Sequence, residues 1–188
     1  TRYVVGILDA LRACKDIALD EELSGIYEKW IKDHPYDEGE GWGLVPWSQE
    51  EMPVTEEMLQ TASGDDVALV ILGRTAGEDQ DNTDKPGSYK LTRTEEDLIR
   101  KVSSQFSRTA VILNVGNIID MKWVREFDPA AVLYAWQGGQ EGGNGVCDVL
   151  MGRVNPCGKL TDTIAEDISD YPSTSNFGDL QKNYYKED

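Results

Sequence analysis

The spacing of apolar positions changes period along this chain, and each change marks an element. Val4, Val5, Leu8 and Leu11 recur at helical steps and predict an amphipathic helix within residues 1–15. Leu23, Ile26, Tyr27, Trp30 and Ile31 repeat the pattern more clearly. Asp20 stands where an N-cap belongs, and Glu21 and Glu22 occupy the first turn, where the helix dipole favours acids. That helix should end near Asp33, with His34 and Pro35 at its exit. Residues 35–55 then lose all periodicity and read as a long loop insertion. Thr55, followed by Glu56 and Glu57, caps a short helix running to about Ser63.

The next segments are continuous apolar runs, the mark of strands covered on both faces. Val67–Leu72 is the first and Gly73 ends it. Thr109–Val115 and Ala130–Trp136 are the second and third, and Lys159–Ala165 reads as a shorter fourth. Helices are predicted between them. One begins at Thr94, with Asp97 in capping-box position and Leu98, Ile99, Val102 and Phe106 as its buried stripe. Another spans Asp120–Glu126, and a third opens in the glycines 138–145 and carries Val146, Val149 and Leu150. Strands alternating with helices specify an α/β protein, a three-layer α/β/α sandwich with an open, mostly parallel sheet. Its 188 residues suit a single domain, residues 1–188. A helix that opens such a unit usually follows a strand, so the sheet is expected to be truncated at its N-terminal edge.

Composition narrows the function classes. The formal charge is −17, which opposes nucleic-acid phosphates and anionic membrane but not a neutral sugar. No apolar run reaches the length of a membrane span. Cys14, Cys147 and Cys157 are odd in number and contain no CxxC, so neither a disulfide framework nor a zinc site is expected, and free thiols fit a reducing compartment. His34 has no visible catalytic partner.

Three stretches could carry chemistry. The glycines around Gly138–Gly145 follow a strand and open a helix, as a phosphate site would, but they fit no GxGxxG or GxxxxGK[ST] frame. Close packing of the helix on the sheet is the simpler reading. Trp42 and Trp47 in the long loop could stack on a sugar ring or cover a core edge. The acidic loop after Gly73 holds Glu78, Asp79, Asp81 and Asp84 at the C-terminal end of a strand, where α/β sheets place their ligands. As a calcium loop it fails, since Asp84 stands where Gly is needed and Lys90 where the bidentate Glu is needed. It could be plain solvated surface. It could also supply a carboxylic acid for general acid/base work. Gly77 would let substrate approach, and the neighbouring carboxylates would raise the pKa of Glu78.

The segments GRTAGEDQD (73–81), LNVGN (113–117), AWQGGQEGG (135–143), DVLMGRVNPCGKL (148–160) and DYPS (170–173) occur in this order. Together they resemble the C-terminal α/β sandwich domain of family 3 glycoside hydrolases, the β-glucosidases and their relatives. The resemblance implies a partner (β/α)8 barrel domain of the same enzyme, which carries an aspartate nucleophile absent from this chain. It also implies an acid/base glutamate on a loop of S-G-E-x-x-D type. That pattern falls on Ala76 to Asp81, with Ala76 in place of the serine. Glu78 becomes the expected acid/base, with Asp81, Trp42 and Trp47 as expected substrate-binding residues. A carbohydrate substrate is implied, and no cofactor, metal, nucleic acid or membrane. Members carry a strand or two before the residue numbered Thr1 here, so this chain is expected to be a piece of a longer enzyme. A bare sheet edge could pair with a second copy. The rival expectation is a non-catalytic carbohydrate-binding or interface module on the same fold.

Overall fold

The computed structural model describes residues 3–75 and 81–175. The described chain begins with α1 (Ile7–Ala13) and α2 (Glu21–Asp33). Asp20 caps α2 as its sequence predicts, its Oδ1 accepting from the backbone N–H of Glu22 at 2.9 Å and of Leu23 at 3.0 Å. His34 ends this helix, stacked on Trp30 with ring centroids 3.5 Å apart. Its ring is a structural cap and faces no catalytic partner among the described residues. Residues 35–55 contain neither helix nor strand. Thr55 then caps α3 (Glu56–Thr61), its hydroxyl accepting from Met58 N–H.

The sheet has three parallel strands in the order β1 (Ala68–Gly73), β2 (Thr109–Asn114) and β3 (Ala131–Tyr134). Val70 aligns with Val111, and Val111 with Val132. The helix α4 (Arg93–Gln105) connects β1 to β2, and α5 (Lys122–Phe127) connects β2 to β3. After β3 comes α6 (Gly142–Leu150). Strand periodicity divides the side chains between two faces. Val70, Leu72, Val111 and Leu113 meet Leu98, Ile99 and Val102 of α4, Trp123 of α5 and Met58 of α3 in the main core. On the opposite face Leu69 packs against a smaller cluster of Ala10, Leu11 and Cys14 from α1 with Cys147 from α6. Two helical layers therefore enclose one sheet, the α/β sandwich the pattern predicts.

Three expectations are corrected. The cap of α4 is Thr92, not Thr94. Thr92 forms a full capping box with Glu95, whose carboxylate accepts from Thr92 N–H at 2.7 Å. Glu at the third position satisfies that donor through its longer side chain, which Asp97 following Thr94 does not. Residues 159–165 form no strand; the segment is largely exposed and makes no ladder. Of the glycines around the start of α6, Gly143 packs against the residues leading into α1 rather than the sheet. Gly143 N–H donates to the Val5 carbonyl at 3.0 Å, and a Cβ on Gly143 would lie 2.1 Å from the Gly6 carbonyl oxygen.

Candidate active site

The C-terminal ends of β1 and β2 open into a cleft of about 390 Å³. Gly73, Arg74 and Thr75 leave β1 along its floor, Asn114 ends β2 beside them, and Gln137 approaches from beyond β3. The long loop supplies the opposite wall through Tyr36, Trp47, Gln49, Glu50 and Glu51. This is the crevice outside the carboxyl ends of strands that the topology favours for ligands.

Arg74 organises the floor. Its side chain is 2% exposed and faces the 4% exposed carboxylate of Glu95, pairing through Nη1–Oε1 and through Nη2–Oε2 at 2.8 Å. The remaining donors reach backbone carbonyls, Nε to Ser88 at 3.1 Å and Nη1 to Gly73 at 2.8 Å. Glu95 is oriented by the capping box of α4 and so belongs at once to a helix terminus and to the cleft. A fully desolvated, bidentate pair of this kind fixes geometry more than it adds stability.

Glu51 adds a third ionisable group to the same cleft. Burial is the main cause that pushes its carboxyl up to about 7, with repulsion from Glu95 acting the same way. The Met52 N–H, which donates to Glu51 Oε1 at 3.0 Å, and the charge of Arg74 pull in the other direction. One guanidinium thus serves two carboxyl groups and is committed to Glu95, which leaves Glu51 to hold its proton near neutrality. Tyr27 lies near it, its phenol raised by burial and then by Glu51.

The described chain is hydrogen-bonded on both sides of residues 76–80, at the cleft on the departing side and beyond β2 on the returning side. At the departing end, Thr75 N–H donates to the Trp47 carbonyl at 2.7 Å, Arg74 N–H to the Asn114 carbonyl at 3.2 Å, and Gln137 Nε2 to the Arg74 carbonyl at 2.9 Å. At the returning end, Asn82 Nδ2 donates to the Ile118 carbonyl at 2.8 Å, and Ser88 Oγ donates to Asn82 Oδ1 at 2.7 Å. Lys90 pairs with Asp84 at 2.7 Å.

Of the residues the sequence singles out, Trp47 lines the cleft, whereas Trp42 is 73% exposed and stands outside its lining. Asp81 is exposed at the returning end of the acidic loop. Glu78 lies outside the described residues, as do 76, 77, 79 and 80. Arg74, Glu95, Glu51 and Gln137 escaped sequence reasoning. A charged residue directly after a buried strand was the available signal for Arg74, and the Thr92-x-x-Glu95 box was the signal for Glu95.

Comparison with known proteins now identifies the domain. The family described as Glycosyl hydrolase family 3 C-terminal domain matches residues 1–188. The chain belongs to this family. A beta-glucosidase of Ruminococcus albus is 51% identical over 186 residues, covering 98% of this chain and 20% of the relative. The crystal structure of a beta-glucosidase from Paenibacillus barengoltzii superposes with a TM-score of 0.90 at 49% identity, over 94% of this chain and 20% of that one. Beta-glucosidase 3B from Thermotoga neapolitana, solved in complex with glucose, gives a TM-score of 0.81 at 34% identity, over 97% of this chain and 26% of that one. This family 3 C-terminal domain therefore spans about a fifth to a quarter of the length of these relatives.

Proposed function

We propose that this chain is the second domain of a retaining β-glucosidase-type glycoside hydrolase acting on terminal β-D-glucosyl or related O-glycosidic bonds, and that it contributes the general acid/base, Glu78. The observation that supports the reading is the anchoring of the described residues that flank positions 76–80. Arg74 and Thr75 leave β1 hydrogen-bonded at the cleft, and Asn82 is held by the Ile118 carbonyl just after β2, in a domain whose family relatives are β-glucosidases. Glycoside hydrolysis with retention needs two carboxyl groups. In this proposal the nucleophilic aspartate belongs to a (β/α)8 barrel of the same enzyme and forms the glycosyl-enzyme. Glu78 first gives its proton to the leaving oxygen and then takes one from the attacking water. Trp47 offers an aromatic edge to the sugar from the cleft wall, and Asp81 supports the loop's acidic field. The 188-residue chain alone would hold half of the pair and should show no measurable turnover of an aryl β-glucoside.

A second reading, a carbohydrate-binding or interface module, is favoured by the exposed indole of Trp42. One experiment separates the two. In the full-length enzyme, Glu78→Ala should lower the rate on a disaccharide by orders of magnitude, with a smaller loss on an aryl glucoside whose leaving group needs no proton. Added azide should restore the second substrate as a glycosyl azide of retained configuration. Near-native rates on both substrates would leave the domain as a binding module.

A further inference from the structure

We propose that Cys14 and Cys147 form a redox-active dithiol that closes to a reversible disulfide between α1 and α6 when a small peroxide reaches it. The site lies on the sheet face away from the cleft and is independent of the proposed hydrolysis. Cys14 is the C-cap of α1, Cys147 sits within α6, and both are buried in one cluster with Ala10 and Leu11. The two helices meet at backbone distance, because Gly143 brings α6 against the Val5 and Gly6 carbonyls. The two thiols influence each other's titration, Cys147 lowering Cys14 and Cys14 raising Cys147.

The surroundings make the two sulfurs unequal. Arg153 places Nη2 at 3.2 Å from Cys14 Sγ while pairing with Asp16 at 2.8 Å and Asp148 at 3.2 Å. The backbone N–H of Asp16, followed by Arg153 and Cys147, holds the Cys14 thiol below its ordinary range, whereas burial pushes Cys147 up. A thiolate beside a guanidinium is a nucleophile, and a protonated thiol beside it is a resolving partner. Cys14 is 8% exposed, which admits a peroxide more readily than a bulky disulfide. The Cys14 thiolate attacks one peroxide oxygen, the O–O bond breaks, and the released hydroxide takes a proton to leave as water. The Cys147 sulfur then attacks the resulting sulfenic acid and displaces its oxygen as a second water. Two thiols are oxidised to one disulfide and one hydrogen peroxide is reduced to two waters. Cys157, exposed and outside the buried cluster, is the internal control.

The test is peptide mapping of the full-length protein after hydrogen peroxide treatment and blocking of residual thiols. The expected product joins the tryptic peptide Ala13–Lys15 to Glu126–Arg153 and separates again under dithiothreitol. Recovery of Cys14 and Cys147 as blocked free thiols would overturn the proposal, as would a cross-link from either one to Cys157. Alkylation of Cys14 near neutral pH should slow several-fold in Arg153→Ala. An unchanged rate would remove the activation on which the proposal rests.

Discussion

At the scale of single residues, the cleft floor is a problem of three charges in little water. Arg74 and Glu95 satisfy each other, and Glu51 carries what is left over. Glu51 keeps its proton up to about pH 7 in the fold, against 4.5 for an unperturbed glutamate. A carboxyl whose pKa is raised by folding contributes its stabilisation in full below the unfolded value and loses it as pH rises through the folded one. Glu51→Gln, which cannot ionise, should therefore gain stability relative to the native chain across that window, by roughly 2 kcal/mol once solvent access to this half-buried group is allowed for. Urea unfolding on either side of the window measures it, and an equal difference at both pH values would contradict the assignment. The ion pair predicts the opposite sign. Glu95→Gln strands the buried guanidinium of Arg74 and should destabilise by about 3–5 kcal/mol. Replacing both partners, as Arg74→Met with Glu95→Leu, should be less damaging than the single change, and a double-mutant cycle reads the coupling.

At the scale of elements, the close meeting of α1 and α6 depends on Gly143. Adding a methyl there would bring it to 2.1 Å from the Gly6 carbonyl oxygen, so Gly143→Ala must push the helices apart. The expected loss is about 1–3 kcal/mol, with proteolysis appearing first in residues 3–15; an unchanged unfolding midpoint would show that the helices can slide without cost. This contact also shows what the sequence could and could not convey. The strands Ala68–Gly73 and Thr109–Asn114 were legible because continuous β-branched runs have few other uses, and α2 was legible because its cap and its stripe agree. Lys159–Ala165 misled because an alternation of small and polar residues resembles a strand until a neighbour is required, and none is present among the described residues. The glycines around the start of α6 announced close packing, but not that Gly143 meets the residues leading into α1. Within the cleft, Trp47 was legible as an aromatic in a long loop. Glu51 was not, since its behaviour arises from burial beside Arg74 and Glu95, which come from β1 and α4.

At the scale of the whole molecule, a sheet with helices on both faces presents one functional edge. The cleft opens at the C-terminal ends of β1 and β2, and residues 35–55 fold across to wall it. The Trp47 carbonyl then ties that wall to Thr75, the second residue after β1. The formal charge of −17 opposes anionic ligands at such a surface and does not oppose a neutral one. The domain spans about a fifth of its relative's length, and under the proposed function this edge faces the rest of the catalytic apparatus. The central claim is that Glu78 supplies the proton. Its most direct test is the pH dependence of kcat/KM for an aryl glucoside with a poor leaving group, which needs the proton, in the full-length enzyme, native against Glu78→Gln. The account predicts a bell for the native enzyme and loss of the alkaline limb in the variant, because the group that must be protonated is gone. An alkaline limb that persists unchanged in Glu78→Gln would place the acid on another residue.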